Sequence, residues 1–132
     1  MEFLGMIIRQ GEVRMDKKKL DAIKEWKPPT SVKGIWSFTG FANFYRKFIP
    51  DFSNIVASLN LLTWKGEPWV WTQLQQWAFE RLKHIFSSAP VLRTPDVTHP
   101  FSVMTDTSLL AAGAVLMQRD KNSDLHPCVY FS

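Results

Sequence analysis

The run Phe38-Thr39-Gly40-Phe41-Ala42-Asn43-Phe44-Tyr45-Arg46-Lys47-Phe48-Ile49-Pro50-Asp51-Phe52-Ser53 places six aromatic residues within sixteen positions. Phe38, Phe41, Tyr45 and Phe48 follow at i, i+3, i+7 and i+10, so a helix gathers them into one stripe. Arg46 and Lys47 fall off that stripe toward solvent. Aromatics at helical spacing are first of all a core signature, and the second meaning of such a helix, basic and aromatic-rich, is a surface beside nucleic acid. Pro50 predicts the end of the helix, because the residue before a proline is driven out of helical geometry. Asp51 follows as a side-chain cap for the next helix.

Working back toward the N-terminus, Thr30 or Ser31 caps the aromatic helix, and Lys27-Pro28-Pro29 closes the one before it. That earlier helix starts at Asp16, an N-cap residue, and runs to about Trp26 with Leu20, Ile23 and Trp26 inward and Lys17, Lys18, Lys19 and Lys24 outward. Ahead of it, Phe3 to Ile8 and Glu12 to Met15 flank a Gln10-Gly11 turn and predict a β-hairpin. Gly5 lies inside the first arm, where glycine permits close approach of another backbone or a ligand, or marks a bulge.

Working forward, Ile55, Leu59 and Leu62 form the inner face of a third helix. Trp64 to Trp71 is a turn and a short extended piece. Thr72-Gln73-Leu74-Gln75 matches a capping box. The fourth helix behind it would bury Leu74, Trp77, Ala78, Leu82, Ile85 and Phe86. From Val91 the period changes to that of strands. Phe101 to Asp106 alternates, Gly113 to Gln118 is apolar enough for burial on both faces, and His126 to Ser132 is a third strand. The fold class is therefore α+β: an N-terminal hairpin, about four helices, then three antiparallel strands of an incomplete sheet. A sheet that stops on an open strand reads as truncated.

The 132 residues suit one domain of ordinary size, and an apolar fraction of 45% excludes disorder. The longest apolar run, Leu109 to Met117, is too short to span a bilayer. The N-terminus has no basic region of a signal peptide, so no membrane partner and an intracellular setting are expected. A single cysteine, Cys128, rules out an internal disulfide. Net charge is +4, with a pI of about 9.4. Residues 1–50 hold ten Lys or Arg against five acids. A basic half suits a polyanion, and equally an ordinary solvated surface.

Catalytic chemistry has little support in the residues. Asp96, Asp106, Asp120 and Asp124 are the carboxylates available for a divalent-metal site, and only Asp106 ends an apolar strand. His84, His99 and His126 show no zinc-ligand spacing. Neither a nucleophile elbow nor a glycine-rich phosphate loop is present. No small-molecule substrate is implied.

Several segments, taken in order, resemble one family. They are Phe3-Leu4-Gly5-Met6-Ile7-Ile8, Gly11-Glu12-Val13-Arg14-Met15-Asp16, Trp26-Lys27-Pro28-Pro29-Thr30-Ser31, Phe41-Ala42-Asn43-Phe44-Tyr45-Arg46-Lys47-Phe48-Ile49, Ala78-Phe79-Glu80-Arg81-Leu82-Lys83, Ala89-Pro90-Val91-Leu92 and Gly113-Ala114-Val115-Leu116. The set resembles the pol polyprotein of gypsy-type LTR retrotransposons over nearly the whole chain.

The resemblance implies a map. Residues 1–15 would be the primer-gripping hairpin at the end of the reverse transcriptase palm, 16–63 the helical thumb, 64–90 the connection, and 91–132 the start of an RNase H-like domain. It implies a sequence-independent partner, an RNA–DNA hybrid or a DNA or RNA duplex, held by Gly5, Lys17, Lys18, Lys24, Lys33, Arg46 and Lys47. It makes Asp106, within Thr105-Asp106-Thr107-Ser108, the first carboxylate of an RNase H site that uses Mg²⁺ in the parent family. No cofactor is expected on this chain alone, because the other RNase H acids lie downstream in the family and the polymerase aspartates upstream. Two departures stand out: Lys17 replaces the usual proline after Met15-Asp16, and Leu109, Leu110, Ala111 and Ala112 replace the usual polar residues and glycine. The expected function is residual nucleic-acid binding without catalysis. The alternatives are a protein-interaction or inert module, and an RNase H completed by another chain or by the missing parts of a pol polyprotein.

Overall fold

The computed structural model describes residues 2–88, 91–105 and 113–132. Three short antiparallel strands open the chain, β1 (Glu2–Phe3), β2 (Met6–Arg9) and β3 (Glu12–Met15). Gly5 is not inside a strand, as its apolar neighbours suggest. With Leu4 it forms the two-residue turn between β1 and β2, and both residues have positive φ. Asp16 caps α1 (Lys17–Lys24) by accepting the Lys18 amide at 3.2 Å. Ser31 caps α2 (Val32–Phe44) by accepting the Gly34 amide at 3.1 Å.

The aromatic run departs from its expected form at its end. α2 stops at Phe44, well short of Pro50, and the chain tightens into a 3-10 turn, Arg46–Phe48. Tightening of this kind is a common way for a helix to close its last carbonyls. It also returns Phe48 to the core, so the stripe Phe38, Phe41, Tyr45 and Phe48 still faces inward. Asp51 precedes α3 (Phe52–Leu61), but its backbone is left-handed and its carboxylate accepts the Asn54 side-chain amide (2.7 Å) instead of a backbone N–H. The cap comes from far away. Ser132 Oγ accepts the Ser53 amide at 3.0 Å.

α4 (Gln73–Ser87) begins with the expected capping box of Thr72 and Gln75. Its buried face is Gln75, Ala78, Phe79, Leu82, Ile85 and Phe86, whereas Leu74 and Trp77 stand 68% and 55% exposed. The helix is therefore rotated relative to the expectation. The cause is Gln75, whose side chain accepts the Thr72 amide (2.8 Å) and donates to the Ser58 carbonyl (3.1 Å), turning a polar residue into the inner end of the face.

After α4 the chain returns to the first sheet. β4 (Leu92–Arg93) pairs with β3, giving the order β1-β2-β3-β4. A second antiparallel sheet follows in the order β5-β6-β7, from Ser102–Thr105, Ala114–Arg119 and Leu125–Phe131. β6 is not buried on both faces. Only Gln118 in it is buried, and every residue of β5 is exposed. Pro127 is accommodated because β7 is an edge strand with a register shift beside Met117.

The core lies among the four helices and the inner face of the first sheet. Phe38, Phe48, Phe79, Phe86, Ile23, Ile35, Leu59, Leu82 and Leu92 are almost wholly buried. Phe38 is its hub, edge-on to Trp26 at 5.4 Å and tilted against Phe79 at 4.7 Å. Such aromatic pairs add roughly 0.5–1.5 kcal/mol beyond the area they bury. No helix among the described residues is long and apolar enough to cross a membrane.

Candidate nucleic-acid interface

α2 has two faces of opposite character. Ile35, Phe38, Ala42 and, beyond its end, Tyr45 are buried. On the other side, Lys33, Trp36, Gly40, Asn43 and Phe44 are exposed, at the i+3, i+4 and i+7 spacing of a single surface stripe. Between this stripe and α3 lies an open groove of about 240 Å³, lined by Trp36, Thr39, Gly40, Asn43, Val56 and Asn60, with Phe52 at its floor. Trp36 is 61% exposed at its edge. A Cβ placed on Gly40 would meet nothing within 4 Å, so the backbone there is open to an approaching molecule. The groove therefore offers a flat aromatic surface, amide side chains and bare backbone together. This is the chemistry of a surface that meets a base edge, sugar or stacked ring.

Sequence reasoning did not single out this groove. The available signal was Gly40 itself, since glycine in a helix interior costs roughly 0.5–1 kcal/mol relative to alanine.

The expected basic residues divide into two groups. Lys17, Lys18 and Lys24 are exposed on α1, with Lys17 and Lys24 seven residues apart on one side, and Lys33 is exposed in the first turn of α2. Lys47 is half-buried, its ammonium 5.7 Å from the centre of the Phe48 ring. Arg46 is half-buried and bonded to protein groups. Its guanidinium donates to Asn43 Oδ1 (3.0 Å) and to the Ser132 carbonyl (2.9 Å) and lies over the Phe52 ring at 4.9 Å. Gly5 is buried, and the space where its Cβ would stand is taken by the Tyr45 hydroxyl and the Lys19 stem. Lys19, outside the expected set, is thereby drawn to the hairpin turn.

The described acidic candidates, Asp96, Asp120 and Asp124, form no cluster that could hold a metal ion. The Asp96 carboxylate takes the Thr98 hydroxyl (2.6 Å), the Thr98 amide (3.0 Å) and His99 Nδ1 (2.8 Å), and these hydrogen bonds, Thr98 first, hold its pKa below the usual carboxylate value. Asp120 is lowered chiefly by His126 Nε2 (2.7 Å), then by the amides of Asp124 and Asn122. Both carboxylates organise loops. Burial raises the Cys128 thiol and the Tyr130 phenol. Asp106 lies outside the described residues. Among the described residues, no three His, Cys, Asp or Glu side chains come together to hold a metal ion.

Residues 71–132 match the RNase H-like domain found in reverse transcriptase. The whole chain aligns at 38% identity with the retrovirus-related Pol polyprotein from transposon opus of Drosophila melanogaster, and at 35% with the transposon Tf2-3 polyprotein of Schizosaccharomyces pombe. Along its whole length the chain is similar to retrotransposon Pol polyproteins. It spans 14% and 10% of the length of these two relatives. The foamy viral protease-reverse transcriptase dRH in complex with double-stranded DNA superposes with a TM-score of 0.78 at 26% identity, over 99% of this chain and 23% of that one. The foamy viral protein in complex with an RNA/DNA hybrid gives 0.77 at 26% identity, over 98% and 18%. The α+β architecture is thus one it shares with part of these foamy viral reverse transcriptase structures.

Proposed function

We propose that this chain binds a nucleic-acid duplex without sequence preference, through the outer face of α2 and the groove beside it. The observation that carries the reading is the groove itself. Trp36, Gly40 and Asn43 are exposed in line on the helix whose other face anchors the core. Lys17, Lys18, Lys24, Lys33 and Lys47 supply charge for phosphates, which gives affinity but no sequence information. Arg46, bonded to Asn43 and the Ser132 carbonyl, and Gly5, packed against Tyr45 and Lys19, are each held by contacts within the protein. The related foamy viral structures, solved with double-stranded DNA and with an RNA/DNA hybrid, support the choice of a duplex as partner.

The test is fluorescence anisotropy of a short labelled RNA–DNA hybrid across a salt series. Affinity should fall steeply with salt. Changing Lys17, Lys18 and Lys24 together to Gln should make the slope of log K against log salt shallower by about 0.9 for each phosphate that is no longer neutralised. No binding at low salt by a folded chain would refute the reading. Mg²⁺-dependent cleavage of the hybrid, abolished by Asp106→Asn, would replace it with a catalytic one.

A protein-partner reading has one observation in its favour. Leu61, Trp64, Leu74 and Trp77 are all exposed on the α3–α4 side. Concentration-dependent self-association without hybrid affinity would favour it.

A further inference from the structure

The turn between β1 and β2 is strained and yet fixed. Leu4 and Gly5 both have left-handed backbone, with φ of 51° and 76°. Two such residues between antiparallel strands suit a tight hairpin turn. Glycine adopts this conformation freely, whereas leucine is uncommon there. The Leu4 side chain is 57% exposed, so packing does not hold it. Hydrogen bonds do. The Tyr45 hydroxyl donates to the Leu4 carbonyl at 2.9 Å, and the Asp16 amide donates to the Gly5 carbonyl at 2.9 Å. A Cβ on Gly5 would fall on the Tyr45 hydroxyl and come within 2.9 Å of two Lys19 carbons. Only glycine leaves room for that hydroxyl to reach its acceptor.

Tyr45 is itself well fixed. Its ring is buried, against Phe41 at 4.9 Å and edge-on to Phe44 at 4.8 Å. Burial, and then the nearby Asp16 carboxylate, raise its pKa above the ordinary phenol value, so the hydroxyl keeps its proton and remains a donor. Phe44 is the last residue of the exposed α2 stripe. One residue therefore links the end of that stripe to a turn forty-one positions earlier in the chain.

We propose that Tyr45 is a positioning residue, whose hydroxyl ties the end of α2 to the Leu4–Gly5 turn and so holds fixed the α2 face that meets the duplex. The inference rests on the duplex reading above and adds to it a residue that touches no nucleic acid.

The test is Tyr45→Phe, which removes only the hydroxyl. In the free chain, the Asp16 amide should exchange its hydrogen about fivefold faster or more, the scale of one hydrogen bond removed. The Ser53 amide, bonded to Ser132 Oγ, should not change. Hybrid affinity should fall about threefold to tenfold with an unchanged salt slope, because every phosphate keeps its lysine. Unchanged exchange at Asp16 overturns the proposal. So does faster exchange with undiminished affinity, which leaves the duplex reading standing. Failure of the unmodified chain to bind overturns both.

If Tyr45→Phe speeds Ser53 as well, Gly5→Ala decides. Its destabilisation should be smaller in the Tyr45→Phe background than alone, because the added methyl meets the hydroxyl. Strict additivity of the two changes overturns the proposal.

Discussion

Gly40 separates what the fold needs from what the groove needs. It lies in the interior of α2, is exposed, and has no atom within 4 Å of the position a Cβ would take. Gly40→Ala should therefore stabilise the protein, by roughly 0.5–1 kcal/mol, through reduced backbone entropy of the unfolded chain and better helix propensity. For a chain of this size that is a rise in Tm of about 2–5 °C, readable by circular dichroism. Gly40→Leu keeps the helix benefit but projects a branched side chain into the 240 Å³ groove. Hybrid affinity should then fall about tenfold or more, while the melt stays at or above that of the unsubstituted chain. A melt and an anisotropy titration on the same three samples give the answer. Gly40→Leu binding as tightly as the parent would refute the groove as the contact surface. A lowered Tm for Gly40→Ala would refute the packing argument.

Two further substitutions and a titration follow from the same geometry. Gln75→Ala removes half of the capping box and leaves the Ser58 carbonyl without its donor, so urea unfolding should show a loss of about 1–2 kcal/mol; Leu74→Ser, one position earlier but 68% exposed, should change stability by less than about 0.5 kcal/mol. The Asp120 pKa is depressed in the folded protein, so the contribution of its loop is complete above the ordinary carboxylate value and is lost as pH falls through the lowered one. The Asn122 and Asp124 amides should keep their hydrogen-bonded NMR shifts until pH drops below the usual carboxylate range. Loss of those shifts near neutral pH would refute the dependence of the loop on the Asp120 carboxylate.

What could be read from the sequence was what is local. The Phe38–Phe48 stripe, the Asp16 and Ser31 caps and the Thr72–Gln75 box each depend on spacings of three or four residues, and all appear in the structure. The misread features have their causes elsewhere in the chain. Asp51 has the right residue type for a cap, but Ser132, seventy-nine positions from Ser53, supplies the acceptor. Leu74 and Trp77 are apolar at helical spacing, yet the hydrogen bond from Gln75 to α3 turns them outward. β4 joins the first sheet because Leu92 completes a core that includes Met6 and Met15, which no local pattern announces. The lysines were visible as a group. The groove was not, because its lining is drawn from two helices and most of it is neither charged nor aromatic.

The two faces of α2 divide its residues between the core and the surface. Phe38 and Tyr45 fix the helix in the core, and the positions between them cannot rotate without exposing aromatics. Gly40 and Asn43 therefore point outward by necessity, which gives the groove a rigid wall at no added ordering cost when a ligand arrives. At the end of the same helix, two consecutive residues reach opposite parts of the molecule: Tyr45 to the first hairpin turn and Arg46 to the end of β7. A change in the α2 core should thus affect binding through the folded population, and equally for every ligand, whereas a change in the groove should affect binding alone. These two signatures distinguish a helix that merely supports a surface from one that is the surface, and α2 is placed to be both.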